Sequence, residues 1–285
     1  MEAHIACIVR ACERLRIGFR YVDKNENYVI VEDRFHFQLN RTPFNTESMA
    51  GLCKDKEHQY ELLHELVRMP KTAGYLDFNV PASYRQYVTH ESIERIVQSV
   101  EEAFGLPVVV KRNKGALGNN VFLCRTSVDV QAALRKIFDR NSSQYDYVAL
   151  AQEYIRPQRE LRVVCFEGEP LLSYERYGTS REFGVRYWET EGAAAIDLAS
   201  DDIDWAVSRE FRPALELPGL DFVALDVIVD ATGEMYLIEL NSAPQFNNYI
   251  RHNGRDSVIS MYERMLSKRL NSICAGNELM HESIG

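Results

Sequence analysis

Long apolar runs are missing from this 285-residue chain. No window approaches 18 consecutive apolar residues, so no transmembrane helix is expected. The first residues, Met1-Glu2-Ala3-His4, lack the basic-then-apolar pattern of a secretory signal. The six cysteines, Cys7, Cys12, Cys53, Cys124, Cys165 and Cys274, form no Cys-x-x-Cys pair. Scattered through mostly apolar segments, they are expected to be buried free thiols in a reducing cytoplasm. Positive charge is in deficit, with 33 Lys and Arg against 42 Asp and Glu and a net charge of −9. That argues against broad nucleic-acid binding, which needs a basic footprint. No Ser-His-Asp or Cys-His pattern points to a protein nucleophile. Lysine is absent between Lys136 and Lys268, a stretch that carries twelve arginines, six of them between Arg156 and Arg186.

What is present suits a globular chain. Apolar residues make up 46% and charged residues 26%, which excludes a wholly disordered, collagenous or coiled-coil chain. Length alone suggests about two domains. Periodicity predicts a first helix over 3–16, with Ile5, Ile8, Val9, Cys12 and Leu15 on one face. Alternating stretches at 19–22 and 28–31, separated by the polar run 23–27, predict a hairpin. A second helix is predicted from Asp55 to Met69, with Leu62, Leu63, Leu66 and Val67 as its stripe. A third opens near His90, carries Ile93, Ile96, Val97, Val100 and Phe104 on one face, and ends at Gly105 and Pro107. Strands then come largely as antiparallel pairs: 108–111 with 121–124, 161–166 with 170–174, and 222–229 with 235–240. A strand at 146–151, helices at 127–140, 201–212 and 255–270, and a mobile tail from Ala275 complete the pattern. This mixture predicts α+β lobes rather than a doubly wound parallel sheet.

The strongest candidate site lies on the last strand pair. Asp226 interrupts the apolar run Leu225-Asp226-Val227-Ile228-Val229, and Glu239 and Asn241 share one face of the following strand. If the strands pair as a hairpin, Asp226 sits across from them. Two carboxylates and an amide oxygen are hard ligands that suit Mg²⁺ together with substrate phosphates. The other reading makes them polar residues of a water-facing edge strand. The apolar flanks favour a shared cation, because unpaired buried carboxylates are costly. Lys111 ends a strand and is followed by Gly115 and Gly118, whose bare backbone would allow close approach of phosphate oxygens. This loop is neither a Walker A motif nor a dinucleotide fingerprint, and taken alone it reads better as a plain hairpin loop. Strand 148–155 offers backbone groups to a nucleoside and Glu160 offers a carboxylate to a sugar, although strand-turn-strand accounts for them equally. Among the arginines, Arg162 and Arg176 stand out because each lies on a predicted strand.

Taken in order, these residues resemble the ATP-grasp superfamily over about residues 50–270. The matching elements are Asp55-Lys56, Val109-Val110-Lys111 with its glycine loop, Gln152-Glu153-Tyr154-Ile155, Glu160-Leu161-Arg162, Leu225-Asp226 and Glu239-Leu240-Asn241-Ser242-Ala243-Pro244. The ordered set is specific; each piece alone is not. It is most similar to the amino-acid ligases of the ribosomal-protein glutamate ligase, cyanophycin synthetase and bifunctional glutathione synthetase type, with D-alanine–D-alanine ligase more distant. The resemblance implies an α+β ATP-grasp fold in which two lobes with antiparallel sheets sandwich ATP. Residues 1–88 would be a reduced N-terminal helix-plus-hairpin region, 89–154 the first lobe, 155–274 the second lobe with the metal site, and 275–285 a tail. Lys56 and Lys111 would contact the nucleotide phosphates, and the loop of Gly115 and Gly118 would close over them. Glu153, Tyr154 and Ile155 would form the adenine hinge, and Glu160 would bind ribose. Asp226, Glu239 and Asn241 would hold one or two Mg²⁺ ions, with Mn²⁺ as a substitute. Arg162 and Arg176 would face the transferred phosphoryl group or the substrate carboxylate.

The activity so implied is ADP-forming ligation of an amino acid or peptide carboxylate to an amine through an acylphosphate. It would take place in the cytoplasm, in a dimer or tetramer, without nucleic-acid or membrane partners. The chain departs from the family at two places: Arg112 follows Lys111 where proline is common, and Gln245 follows Pro244 where glycine is usual. The region before Asp55 is short for a complete substrate-binding domain, so part of the substrate site is open to completion by another chain. Residues 177–200, with Arg181, Arg186 and Trp188, are expected to cover the acceptor. Two other readings stay open. One is an ATP-grasp small-molecule kinase, whose polyanionic substrate the arginines at 156–186 would hold. The other is a non-catalytic ATP-binding module, against which the complete metal set speaks.

Overall fold

The computed structural model describes residues 2–115, 118–178, 193–198 and 203–282. Helix α1 (Ala3–Leu15) and strands β1 (Phe19–Tyr21), β2 (Tyr28–Val31) and β3 (Phe35–Gln38) open the chain as a helix and a three-stranded antiparallel meander. The expected hairpin is present and β3 extends it. Phe35 and Phe37 are buried while His36 and Gln38 between and after them are exposed, which is the alternation of a half-buried strand.

Helices α2 (Glu47–Leu52) and α3 (Lys56–Leu63) follow. Asp55 caps α3, its carboxylate accepting from the His58 N–H. The helix ends at Leu63 rather than Met69 because another strand uses the backbone beyond it. The Arg68 carbonyl accepts from the Leu237 N–H at 2.9 Å. Leu63 and Val67 of the expected stripe are buried, whereas Leu62 and Leu66 are exposed.

A four-stranded sheet has the order β4 (Thr72–Leu76), β7 (Val148–Glu153), β5 (Val108–Arg112), β6 (Val121–Cys124). Helices α4 (Ile93–Phe104) and α5 (Ser127–Ile137) cover one face, with Ile96, Val100 and Leu134 packed on Val108, Val110 and Ala151. Strand alternation then sends Lys111 and Gln152 to the opposite face.

A five-stranded antiparallel sheet has the order β10 (Ala194–Asp197), β9 (Glu169–Tyr177), β8 (Arg159–Phe166), β11 (Phe222–Val229), β12 (Met235–Asn241). Its two faces belong to two cores. Val163, Cys165, Val223 and Leu225 pack with residues of α6 (Ile203–Glu210) and α7 (Arg212–Leu215). Val164, Phe166, Phe222 and Ala224 pack with α1, the meander, α8 (Asn247–Asn253) and α9 (Asp256–Glu282). The N-terminal helix and meander therefore share a core with this sheet. Buried His4 helps tie them together. It accepts from the Phe246 N–H at 3.3 Å and lies 3.1 Å from the Tyr262 hydroxyl, and burial pushes its imidazole down to about 4. Helix α9 runs well past residue 270 to Glu282; residues 283–285 lie outside the described set. Cys7, Cys12, Cys53, Cys124 and Cys165 are buried free thiols, as expected, and the Cys274 side chain lies outside the described set. Among the described residues no helix is long and apolar enough to cross a membrane.

Candidate functional site

One face of the five-stranded sheet changes character along its length. Strand β11 passes from Phe222 and Ala224 to Asp226, β8 from Phe166 and Val164 to Arg162 and Glu160, and β9 from Leu172 and Tyr174 to Arg176. The apolar end is covered by α1, α8 and α9, and the charged end lies beyond that core.

Asp226 is buried and stands opposite Arg162 on β8 and Glu239 on β12. Arg162 donates from Nε to Oδ1 and from Nη2 to Oδ2, each at 2.6 Å, the two-pronged geometry a guanidinium favours. Arg176 Nη2 donates to Oδ2 at 2.7 Å. Burial by itself would raise the Asp226 carboxyl, but Arg162 and Arg176 outweigh it and hold the group well below the usual carboxylate range. Its charge is met by two arginines on neighbouring strands, and it is no water-facing edge residue. Asn241 Nδ2 donates to Asp226 and to Glu239, both at 3.2 Å.

The other Glu239 oxygen lies 3.2 Å from Lys56 Nζ. Lys56 is brought there by Gln59, one turn further along α3. The Gln59 amide pairs with the edge of β12, accepting from the Leu240 N–H at 2.7 Å and donating to the Leu240 carbonyl at 3.3 Å. Sequence reading gave Gln59 no role; its one signal was a three-residue spacing from Lys56 on a predicted helix. Lys56 Nζ also donates to the Gly115 carbonyl at 2.8 Å, so the glycine loop, α3 and β12 meet at one ammonium. A Cβ on Gly115 would overlap the Arg112 guanidinium, and Gly118 has φ +69°, so both glycines have structural reasons. Ala116 and Leu117 between them lie outside the described residues.

Lys111 is buried on the uncovered face of the four-stranded sheet. It donates to Gln152 Oε1 at 2.9 Å, and Gln152 donates in turn to Thr72 Oγ1 at 2.8 Å. Burial and the charge of Lys56, partly offset by Glu239, lower its ammonium to about 8. Strand β7 ends at Glu153 in the four-stranded sheet and β8 begins at Arg159 in the five-stranded one. Tyr154 and Ile155 therefore lie on the segment that crosses between the sheets. Glu160 shares the charged face with Arg162 and contributes to the charge environment of Arg176. Arg181, Arg186 and Trp188 lie outside the described residues.

Lys56, Lys111, Arg162 and Arg176 thus surround Asp226 and Glu239, and positive charge is in excess. Such a cluster accepts a polyanion. Among the described residues no three His, Cys, Asp or Glu side chains could together hold a metal ion. Asp226, Glu239 and Asn241 supply two carboxylates and an amide, which fits Mg²⁺ arriving with phosphate oxygens that complete its shell.

Two antiparallel sheets that present lysine, arginine and register-paired carboxylates to each other define a two-lobed α+β protein suited to a polyanion. Residues 78–265 match the RimK-like ATP-grasp domain, and the chain belongs to that family. It is 26% identical over 170 residues to a probable alpha-L-glutamate ligase of Aeromonas salmonicida, which covers 58% of this chain and 53% of that protein. It is 27% identical over 145 residues to a D-alanine–D-alanine ligase of Trichlorobacter lovleyi, covering 50% of this chain and 44% of the relative. The crystal structure of the D-cycloserine synthetase DcsG aligns with a TM-score of 0.56 at 14% identity, over 80% of this chain and 73% of that one. At that identity the shared feature is the fold. The chain spans about half the length of these two curated relatives.

Proposed function

We propose that the chain is an ATP-dependent, ADP-forming ligase that joins the carboxylate of an amino acid or peptide to an amine. The observation that carries this reading is the cluster of Lys56, Lys111, Arg162 and Arg176 around the register-paired Asp226 and Glu239. A carboxylate is a poor electrophile. Transfer of the γ-phosphoryl group onto it gives an acylphosphate and ADP; attack by the amine forms the amide and expels phosphate. The protein's part is positioning and charge, with no nucleophile of its own. Lys111, braced by Gln152, and Lys56, braced by the Gly115 carbonyl, would neutralise phosphate oxygens. Arg162 and Arg176 present planar donors that an arriving phosphoryl or carboxylate group can share with Asp226. Asp226, Glu239 and Asn241 would hold Mg²⁺, which when bound offsets charge on the phosphates. The lobe of residues 89–154, whose sheet β4 completes, would close on the lobe of residues 155–274, with Glu153 to Ile155 at the adenine and Glu160 at the ribose. The names of the relatives support an amino acid or peptide as substrate.

A kinase acting on a hydroxyl is the second reading, carried by the same excess of positive charge. Arg159, one of the arginines that would serve it, is paired with Glu175 at 2.8 Å. Incubation with Mg²⁺-ATP and pooled amino acids and dipeptides separates the readings, with ADP and phosphate release and mass spectrometry from the same samples. Release of both, with a product equal to two substrates less water, supports the ligase. ADP with a phosphate-bearing product supports the kinase. ATP binding with no ADP from any pool overturns a ligase acting on these substrates and favours a binding module. Glu239→Gln is expected to keep the fold and lose most turnover, and unchanged turnover would remove Glu239 from the metal set.

A further inference from the structure

The first turn of α3 has two sides. Lys56 reaches Gly115 and Glu239. Glu57, about 100° further round the helix, turns instead to β4, where Gly74 leaves room for it: a Cβ there would overlap the Glu57 carboxylate. That carboxylate is half-buried and has no hydrogen-bond or ion-pair partner among the described residues. It lines an open cleft of about 900 Å³ together with Asp55, Tyr84, Tyr87, Arg140 and Tyr147. The Tyr84 and Tyr87 side chains are 57% and 64% exposed and have no partner among the described residues.

The basic side chains at and beside the cleft already have partners. Arg140 Nε donates to Asp77 at 3.3 Å, Lys114 lies 3.6 Å from Asp55, and His58 lies 3.5 Å from Asp55. Glu57 has no ion-pair partner of its own among the described residues; burial, then Asp55, push its carboxyl upward, His58 offsets part of that push, and Glu61 and Asp146 add to it. The aromatic walls already show what they take. Lys114 Nζ sits 5.5 Å from the centre of the Tyr147 ring, and the Arg140 guanidinium 5.9 Å from that of Tyr145. The volume is that of a small-molecule site.

We propose that this cleft binds an organic cation of amino-acid to dipeptide size, an ammonium or guanidinium, with Glu57 as its counter-ion and Tyr84 and Tyr87 as its walls. The site is distinct from the phosphate-facing cluster, because the first turn of α3 stands between them, and it goes beyond the ligase reading.

Titration calorimetry on the full chain without nucleotide tests it, with lysyl-lysine as the probe and norleucyl-norleucine as the neutral dipeptide of similar shape. Lysyl-lysine is expected to bind at one site at least tenfold more tightly than the neutral dipeptide. Glu57→Gln, and separately the pair Tyr84→Ser and Tyr87→Ser, should weaken it at least fivefold. Gly74→Ala should weaken it similarly, because the added methyl displaces the Glu57 carboxylate without touching the tyrosines. Glu239→Gln should leave it unchanged. Equal affinity for the two dipeptides overturns the proposal. So does a lysyl-lysine affinity that Glu57→Gln and Gly74→Ala do not move, or one that Glu239→Gln abolishes. ATP turnover is not read, so failure here leaves the ligase reading standing, and failure of the ligase reading leaves this one standing.

Discussion

Asp226 and Glu57 are both carboxylates withdrawn from bulk water, and they respond in opposite directions. Burial pushes both upward. At Asp226 two guanidiniums reverse the push; at Glu57 the neighbouring charge, Asp55, adds to it. Depth therefore does not decide the behaviour of a buried acid; its partners do. The two groups stand on either side of α3. On one side the chain meets its own negative charge with arginine, and on the other it leaves a carboxylate for something else to meet.

The largest test of that contrast is Asp226→Asn. It leaves Arg162 and Arg176 buried without their counter-ion, and a loss of about 3–5 kcal/mol is expected in urea unfolding. A loss below about 1 kcal/mol would make the cluster equivalent to a surface ion pair. The pH dependence has a defined sign. The native Asp226 carboxyl is depressed, so its contribution is complete above the unfolded value near ~3.9. It is lost as pH falls through the native value, and the gap between wild type and variant should narrow only in that acid range.

Gln59→Ala comes next. It strips the buried Leu240 N–H and carbonyl of their partner, at about 1–3 kcal/mol, and loosens the helix that holds Lys56 against Glu239. Faster hydrogen exchange at the Leu240 amide would report it, and unchanged exchange would show that α3 is held some other way. At Lys111 the effect is on affinity. ATP binding should weaken about threefold to tenfold as pH rises through about 8, because the ammonium proposed to face the phosphates is lost. Lys111→Arg should flatten that fall, since arginine stays charged; a flat wild-type profile would take Lys111 out of the phosphate site. The smallest effect is that of Glu57→Gln on stability, a gain of a few tenths, on the order of 0.3 kcal/mol, at neutral pH. With a raised native carboxyl, the contribution of Glu57 is complete below the unfolded value near ~4.3. It is lost as pH rises through the native value, so the gain from glutamine should vanish in acid.

Much of the candidate site was legible because strand alternation is a local rule. Asp226 opposite Glu239, and Asn241 beside it, follow from the spacing of polar residues in two apolar runs. Lys111, Gly115 and Gly118 were legible as a strand end and loop for the same reason. Helix α4 also formed where its spacing indicated, because Ser92 caps it and Gly105 ends it. The ends of α3 and α9 were not legible. Helical periodicity continues past Leu63, but β12 uses the Arg68 carbonyl and the Gln59 amide, and no window of sequence contains both partners.

By itself the sequence determined which residues carry chemistry, because a charge inside an apolar strand, and a lysine before a glycine loop, can be recognised without knowing what lies opposite. Only the tertiary structure decided what each charge meets. Arg162 and Arg176 reach Asp226 from neighbouring strands, and Glu57 lines one cleft with Tyr84 and Tyr87, which come from a separate segment. Coulomb energy depends on distance in space, and Arg176 and Arg162 lie 50 and 64 positions from Asp226 along the chain.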